Sequence, residues 1–341
     1  MARVRSGPLI LSVAIAFLIA DATLIWIGAQ SDFAFDFTCC YQQAAARVLD
    51  DPSALYEWSD TYTFRYTPLG ALPFIPLVPL SETAAAWTWL VVKLGVLAVT
   101  AAWFSRPWSG SRRWLVALLV VTFPPIVHDL VIGNVSTITL LVLLAVARWQ
   151  DARGGVVLGL LTILMPKPHL IPVLVYVAIR RPRDFVATLA TMMGGVLVGL
   201  AIFGIEPWIA FIGTLREPLE RTFTANVGFS GLFGPLGVGI GLAAGLAILV
   251  AGVLTGGSRG YGLSIIGGIV MGPYTFIHYL AGTLVAAEPV LRIRPRRLVL
   301  FPWLLVVFPL IPFWLVGLAW VVRSSPPTAD AAAAPPTAAP G

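Results

Sequence analysis

Residues 83–104 read TAAAWTWLVVKLGVLAVTAAWF, an apolar run whose single charge, Lys93, sits near its middle. At ~1.5 Å per residue a helix over this run is about 33 Å long, enough to cross a bilayer's hydrocarbon core of ~30 Å. Comparable runs recur on both sides of it, in a chain of 341 residues that is 58% hydrophobic and only 11% charged. Soluble domains carry roughly a quarter charged residues, so this composition excludes an ordinary soluble fold. The alternating ~10-residue segments of an outer-membrane barrel are not visible either. The chain reads as an all-α, polytopic transmembrane helical bundle of about 9–11 membrane segments, counting short, broken ones.

Residues 8–28 follow Arg3 and Arg5 and resemble a signal peptide, but they lack a small-residue cleavage site and contain Asp21. They are expected to remain as the first span. The net charge of +6 raises the question of nucleic acid. However, fifteen of the 22 Lys and Arg residues fall in six short segments, at 3–5, 106–113, 148–153, 180–183, 259 and 292–297. That pattern is explained by topology, and no nucleic-acid partner is expected. The positive-inside bias places those segments in the cytoplasm and the loops at 30–66, 133–136, 165–169, 206–231 and 271–279 outside.

Parity then requires an even number of crossings between Arg5 and Arg106, yet three apolar runs lie there. The middle one, residues 67–80, contains four prolines and is expected to re-enter from the outer side. Two further pairs of short arms flank MPKPH (165–169) and MGPYTFIHY (271–279). Irregular backbone at membrane depth persists only inside protein or along a wet cavity, so these breaks predict a cavity open to the outer leaflet. Residues 1–323 form one integral-membrane domain, with a first outer loop (29–66) that carries a juxtamembrane helix. The Ala/Pro-rich tail, 324–341, is expected to be disordered.

The chemistry gathers at the outer end. Asp36, Arg65, Asp129, Lys167 and all three histidines (His128, His169 and His278) fall there, and ionisable groups at membrane depth mark a site or a pairing. Each also has a plainer reading. Asp36 and Thr38 suit caps of a helix with Tyr41, Ala44, Ala45, Val48 and Leu49 on one face. His128 and Asp129 suit an interfacial anchor, and Lys167 a snorkelling residue. His128, Asp129 and His169 show no recognisable ligand spacing, so neither a metal nor another cofactor is expected. The adjacent Cys39 and Cys40 are poorly placed for a mutual disulfide and read as small packing residues. Lys93 and Asp21 lie at similar depths, and their pairing is the natural structural expectation.

Taken in order, DFTCCYQQAAARVLDDPSALY (36–56), FRYTPLGALPFIPLVPL (64–80), GNVSTITLLVLLAVA (133–147), PKPHLIPVLVYVAIRRPRDF (166–185) and GPYTFIHYLAGTLV (272–285) resemble the blocks of glycosyltransferase family 87. The resemblance spans residues 8–291, with two departures: Asn134 replaces the usual glutamine, and Lys93 stands near a frequent asparagine. It implies a GT-C type enzyme of the cell membrane, its active site facing outward. The donor it implies is a polyprenyl-phosphate-linked hexose, mannose in the first instance. The acceptor would be a lipid or glycan, and membrane lipids would surround the protein. Asp36 matches the base that activates the acceptor hydroxyl, while Arg65, Tyr66, Lys167 and His278 would bind substrate and its departing phosphate. The alternative class is a non-enzymatic flippase or transporter of polyprenyl-linked sugars. The two broken helix pairs share little beyond a Pro and a His, unlike the matched repeats of many transporters.

Overall fold

The computed structural model describes residues 15, 18, 19, 21, 22, 25, 33–57, 62, 64–215, 226–293 and 310–325. The first span, Asp32 and the tail beyond Ser325 therefore lie wholly or largely outside the described residues. In chain order, a π-helical turn (Phe37–Gln42) runs into α1 (Gln43–Asp50). A 3-10 turn (Pro52–Tyr56) and a 3-10 helix (Pro68–Leu77) precede α2 (Glu82–Ser105), α3 (Gly110–Val121) and α4 (Pro124–Ile132). Next come α5 (Ser136–Arg148), α6 (Ala152–Leu164), α7 (Ile171–Arg180), α8 (Pro182–Phe203) and α9 (Glu206–Thr214). The bundle is completed by α10 (Phe229–Thr255), α11 (Gly257–Met271), α12 (Thr283–Ile293) and α13 (Ile311–Ser324). The fold is an all-α membrane bundle.

Three of these helices, α2, α8 and α10, are long and apolar enough to cross a bilayer. The pair α3–α4 amounts to a fourth span bent by 45°. The bend has a simple cause: Pro124 and Pro125 open α4 without N–H groups, so α3 cannot continue into it. At the start of α2 the Ser81 hydroxyl accepts from the Ala84 N–H at 3.4 Å. Glu82 lies in the first turn, where the helix dipole favours a carboxylate.

Residues 68–77 form a 3-10 helix, about 20 Å long at ~2 Å per residue and too short to cross alone. Pro68, Leu69, Gly70, Ala71 and Phe74 are buried in it, and the Thr67 hydroxyl donates to the carbonyl of Ile163 in α6. The small-residue faces of α10 and α11 pack directly together, Gly245 against Gly267 and Gly252 against Gly260. Without lipid-expelling hydrophobicity between helices, such close backbone approach is what holds membrane bundles together. Gly268 lets α11 approach the carbonyl of His169, which places the break between α6 and α7 beside the break after α11.

Three expectations are corrected. Lys93 does not pair with Asp21: its ammonium meets Asp129 Oδ2 at 2.8 Å and also donates to the Asp129 carbonyl, with both side chains fully shielded. Equal depth left open which way each helix faces, and Lys93 shares the buried face of α2 with Trp89, Leu97 and Thr100. Asp21 is buried, with Oδ1 lacking a hydrogen-bond partner among the described residues. On α1 the buried face holds Ala44, Ala45 and Val48, while Leu49, just beyond its edge, is 57% exposed. Cys39 and Cys40 are buried, but their sulfurs are joined in a vicinal disulfide. They lie on the π turn, whose wider coil turns successive side chains apart by less than an α-helix does.

Breaking a buried ion pair by removing one partner costs about 3–5 kcal/mol, because the other charge is left uncompensated. Lys93→Met and Asp129→Asn should each lower the unfolding temperature in detergent, and the double variant should lose clearly less than the sum. Lys93→Met combined with Asp21→Asn should instead be additive. Additivity in the first cycle would remove the Lys93–Asp129 pair from the account.

Candidate active site

Four interruptions of regular helix meet at one end of the bundle: the first loop at 33–42, the corner at 133–135, the loop at 165–168 and the segment 272–282. Each has a local cause. Gly133 ends α4 with φ +75°, and Lys167 sits between Pro166 and Pro168 in an extended conformation, as a residue before proline prefers. Gly272 and Pro273 end α11, and a 3-10 helix (Ile277–Gly282) follows.

The corner is built from below. The Asp129 carboxylate accepts from the N–H groups of Ser136 (2.8 Å) and Thr137 (3.1 Å) and from the Thr137 hydroxyl (2.6 Å). It thus caps α5 from the end of α4, while Lys93 neutralises it. The Trp89 indole N–H donates to the Gly133 carbonyl at 2.8 Å, and the Ala34 N–H donates to the Val131 carbonyl at 2.9 Å. A Cβ on Gly133 would stand 2.8 Å from Phe37 Cβ, so only glycine lets the first loop close on the corner.

Asn134, presented by this corner, joins the two sides of the site. Its Nδ2 donates to Asp36 Oδ2 at 2.7 Å, and its Oδ1 accepts from the Lys167 ammonium at 3.1 Å. Asp36 makes no side-chain capping bond, so the capping reading does not hold for it, and Thr38 donates to the Phe35 carbonyl. Aromatic rings surround the Asp36–Asn134–Lys167 chain. Tyr41 and Tyr66 stack with centroids 5.6 Å apart and hydroxyls 3.2 Å apart. The Lys167 ammonium lies 4.6 Å from the centre of the Tyr279 ring and 5.9 Å from that of Tyr66.

Burial pushes the Asp36 carboxyl up, opposed chiefly by the Asn134 hydrogen bond and the Lys167 charge. Burial also pulls Lys167 down to about 8 despite nearby carboxylates, and holds His278 well below the usual histidine range, with Lys167 adding to the effect. His278 is thus neutral, and its Nδ1 is buried without a hydrogen-bond partner among the described residues. Its ring stacks on Phe276 and on His128 at 5.5 and 5.9 Å. Partly buried Arg65 places its charge near Tyr274 and Tyr279. The candidates Asp36, Tyr66, Lys167 and His278 therefore share one neighbourhood. His128, Asp129 and His169 do not converge, since Asp129 is committed to Lys93 and α5. Among the described residues no three His, Cys, Asp or Glu side chains could hold a metal ion.

The profile of glycosyltransferase family 87 matches residues 64–266, more than half of the chain. The chain belongs to glycosyltransferase family 87. No curated protein matches it, and no solved structure does. As a family 87 glycosyltransferase it acts on a sugar donor and an acceptor, and its apolar helices make it a membrane protein. The residue that sequence reading passed over in this family 87 chain is Asn134, noted only as a shorter amide. Its signal was positional: it follows a helix-ending glycine and comes five residues after an aspartate that caps the next helix.

Gly133→Ala should push the first loop off the corner and misplace Asp36. Misplacement of about 1 Å can cost ~10²-fold in rate. Transfer activity should fall on that order while the unfolding temperature changes only modestly. Unchanged activity would show that Asp36 needs no contact with this corner.

Proposed function

We propose that the protein transfers a hexose, mannose in the first instance, from a polyprenyl-phosphate-linked donor to a lipid or glycan acceptor. The reaction takes place at the outer face of the cell membrane, on a GT-C type scaffold, with inversion and with Asp36 as general base. The observation that carries this reading is the Asp36–Asn134–Lys167 chain, which sets a carboxylate and a cation on either side of one amide. The basic loops between helices support the outward orientation, and the proline breaks support entry of a lipid phosphate from the side.

In this mechanism Asp36 takes the proton of the acceptor hydroxyl. The oxygen attacks the anomeric carbon opposite the phosphate, the carbon–oxygen bond to phosphate breaks, and its electron pair leaves with the lipid phosphate. Lys167 and Arg65 supply positive charge to the phosphate as negative charge grows on it, and His278 donates one hydrogen bond. Tyr66 packs against the bound donor. The donor is a phosphodiester and the group that departs is a prenyl phosphate monoester of low basicity, so the step needs neither a strong general acid nor a metal.

Membranes incubated with labelled polyprenyl-phosphate mannose test this directly. Asp36→Asn should lose ~10²–10⁴ in turnover, the usual contribution of a general base, while still binding donor. Near-normal turnover would remove Asp36 from the mechanism. Lys167→Ala should lower turnover and weaken donor binding, and His278→Ala should lower turnover. EDTA should leave activity intact, and restoration by Mg²⁺ or Mn²⁺ after its loss would make the site a metal site.

Lys167 also fixes a pH dependence. It is charged below about 8 and neutral above, so kcat/KM for the donor should fall as pH rises through that value. Lys167→Arg, permanently charged, should move that alkaline limb upward. An unmoved limb would assign it to another group.

A further inference from the structure

We propose that Asn134 is a positioning residue that holds the general base and the phosphate-binding cation close together without letting them pair. This rests on the reading of Asp36 as the base. The orientation of the amide is fixed by its neighbours. The Val135 N–H, which can only donate, points at Asn134 Oδ1 at 2.7 Å, and the Lys167 ammonium, also only a donor, reaches the same atom at 3.1 Å. Nδ2 is therefore turned toward Asp36 Oδ2 at 2.7 Å. The reverse orientation would set two donors against an NH2 group and an amide oxygen against a carboxylate. Only one arrangement satisfies all three partners.

Two consequences follow for catalysis. Asn134 takes one carboxylate oxygen and leaves Asp36 Oδ1 without a hydrogen-bond partner among the described residues, available for the acceptor's proton. It also stands between Asp36 and Lys167, so no direct ion pair joins them. A direct pair would weaken the base and occupy the cation before the phosphate arrived. Asn134 is itself 7% exposed, held between Gly133 and the Asp129-capped start of α5. The groups facing Asp36 are Lys167, Lys93 and Asp129, together with the hydroxyls of Tyr41, Tyr66 and Tyr279. Of the three hydrogen bonds at its amide, the one to Asp36 is the only one that Nδ2 makes, and a substitution at 134 removes it while leaving all these charges in place.

The test is the pH profile of kcat/KM in purified protein with polyprenyl-phosphate mannose as donor. Asn134→Asp is isosteric and turns an acceptor toward Asp36, so the acid limb should move up by a pH unit or more, with turnover at neutral pH falling over tenfold. Asn134→Leu keeps the volume but removes the donor. Its acid limb should move the same way, kcat should fall at least tenfold, and donor KM should stay within about threefold. If one variant does not fold, the other decides. Asp36→Asn, run alongside, separates the two readings. Turnover surviving in Asp36→Asn overturns the base and this inference with it. An inactive Asp36→Asn beside an Asn134 variant whose acid limb and kcat match wild type overturns the inference alone.

Discussion

A lysine and an aspartate, neither exposed to solvent, face each other at 2.8 Å between α2 and α4, and the end of the bundle that holds the candidate site is organised around them. Removing two charges from water costs several kcal/mol each, and their attraction offsets this only when the remaining polar atoms are satisfied. Here they are. Asp129 accepts from two backbone N–H groups and a hydroxyl of α5, and Lys93 reaches both the carboxylate and the carbonyl of Asp129. The one pair thus fastens α2 to α4, starts α5, and shapes the corner on which Asn134 stands.

The same pair matters electrostatically. Lys93 and Asp129 lie beside Asp36 and Lys167, so the four charges sum to zero within a water-poor region. A bundle with an isolated carboxylate there would protonate it, and one with an isolated ammonium would neutralise it. With the charges balanced in this way, the cost of burial is shared among four groups, with Lys93 against Asp129 and the Asn134 amide between Asp36 and Lys167. On the proposed reading, a donor phosphate adds one negative charge to this balance, and Arg65 is the nearby cation that can answer it.

Much of this was legible in the sequence, for identifiable reasons. Apolar length located α2 to within a residue at each end, and prolines located the breaks around Lys167 and His278. The crowding of scarce ionisable residues at one end pointed to the candidate site. What stayed hidden depends on azimuth and reach. Depth along a helix suggested Asp21 for Lys93, but depth says nothing about which side of α2 a residue faces, and Lys93 faces α4. Asn134 is uncharged and single, so no pattern of charge or period marks it. Its importance comes only when residues 36, 134 and 167, far apart in sequence, meet. His278 was read as a residue that binds substrate and its departing phosphate, and burial next to Lys167 leaves it neutral.

On the proposed reading, that last shift bears on how the site handles a lipid phosphate. A buried site makes every charge costly while empty and every complementary charge valuable once filled. Lys167, lowered to about 8, is close to surrendering its proton in the empty site, and an arriving phosphate would favour keeping it. On that reading the phosphate would strengthen the cation that binds it. Asp36 is arranged in the opposite sense: burial raises it, and the Asn134 amide restrains the rise without cancelling its charge. A direct contact with Lys167 would have lowered it further and made it a poorer base. An amide between the two lets each group be tuned by its own partner, which is why a neutral residue, rather than a third charge, occupies the centre of the site.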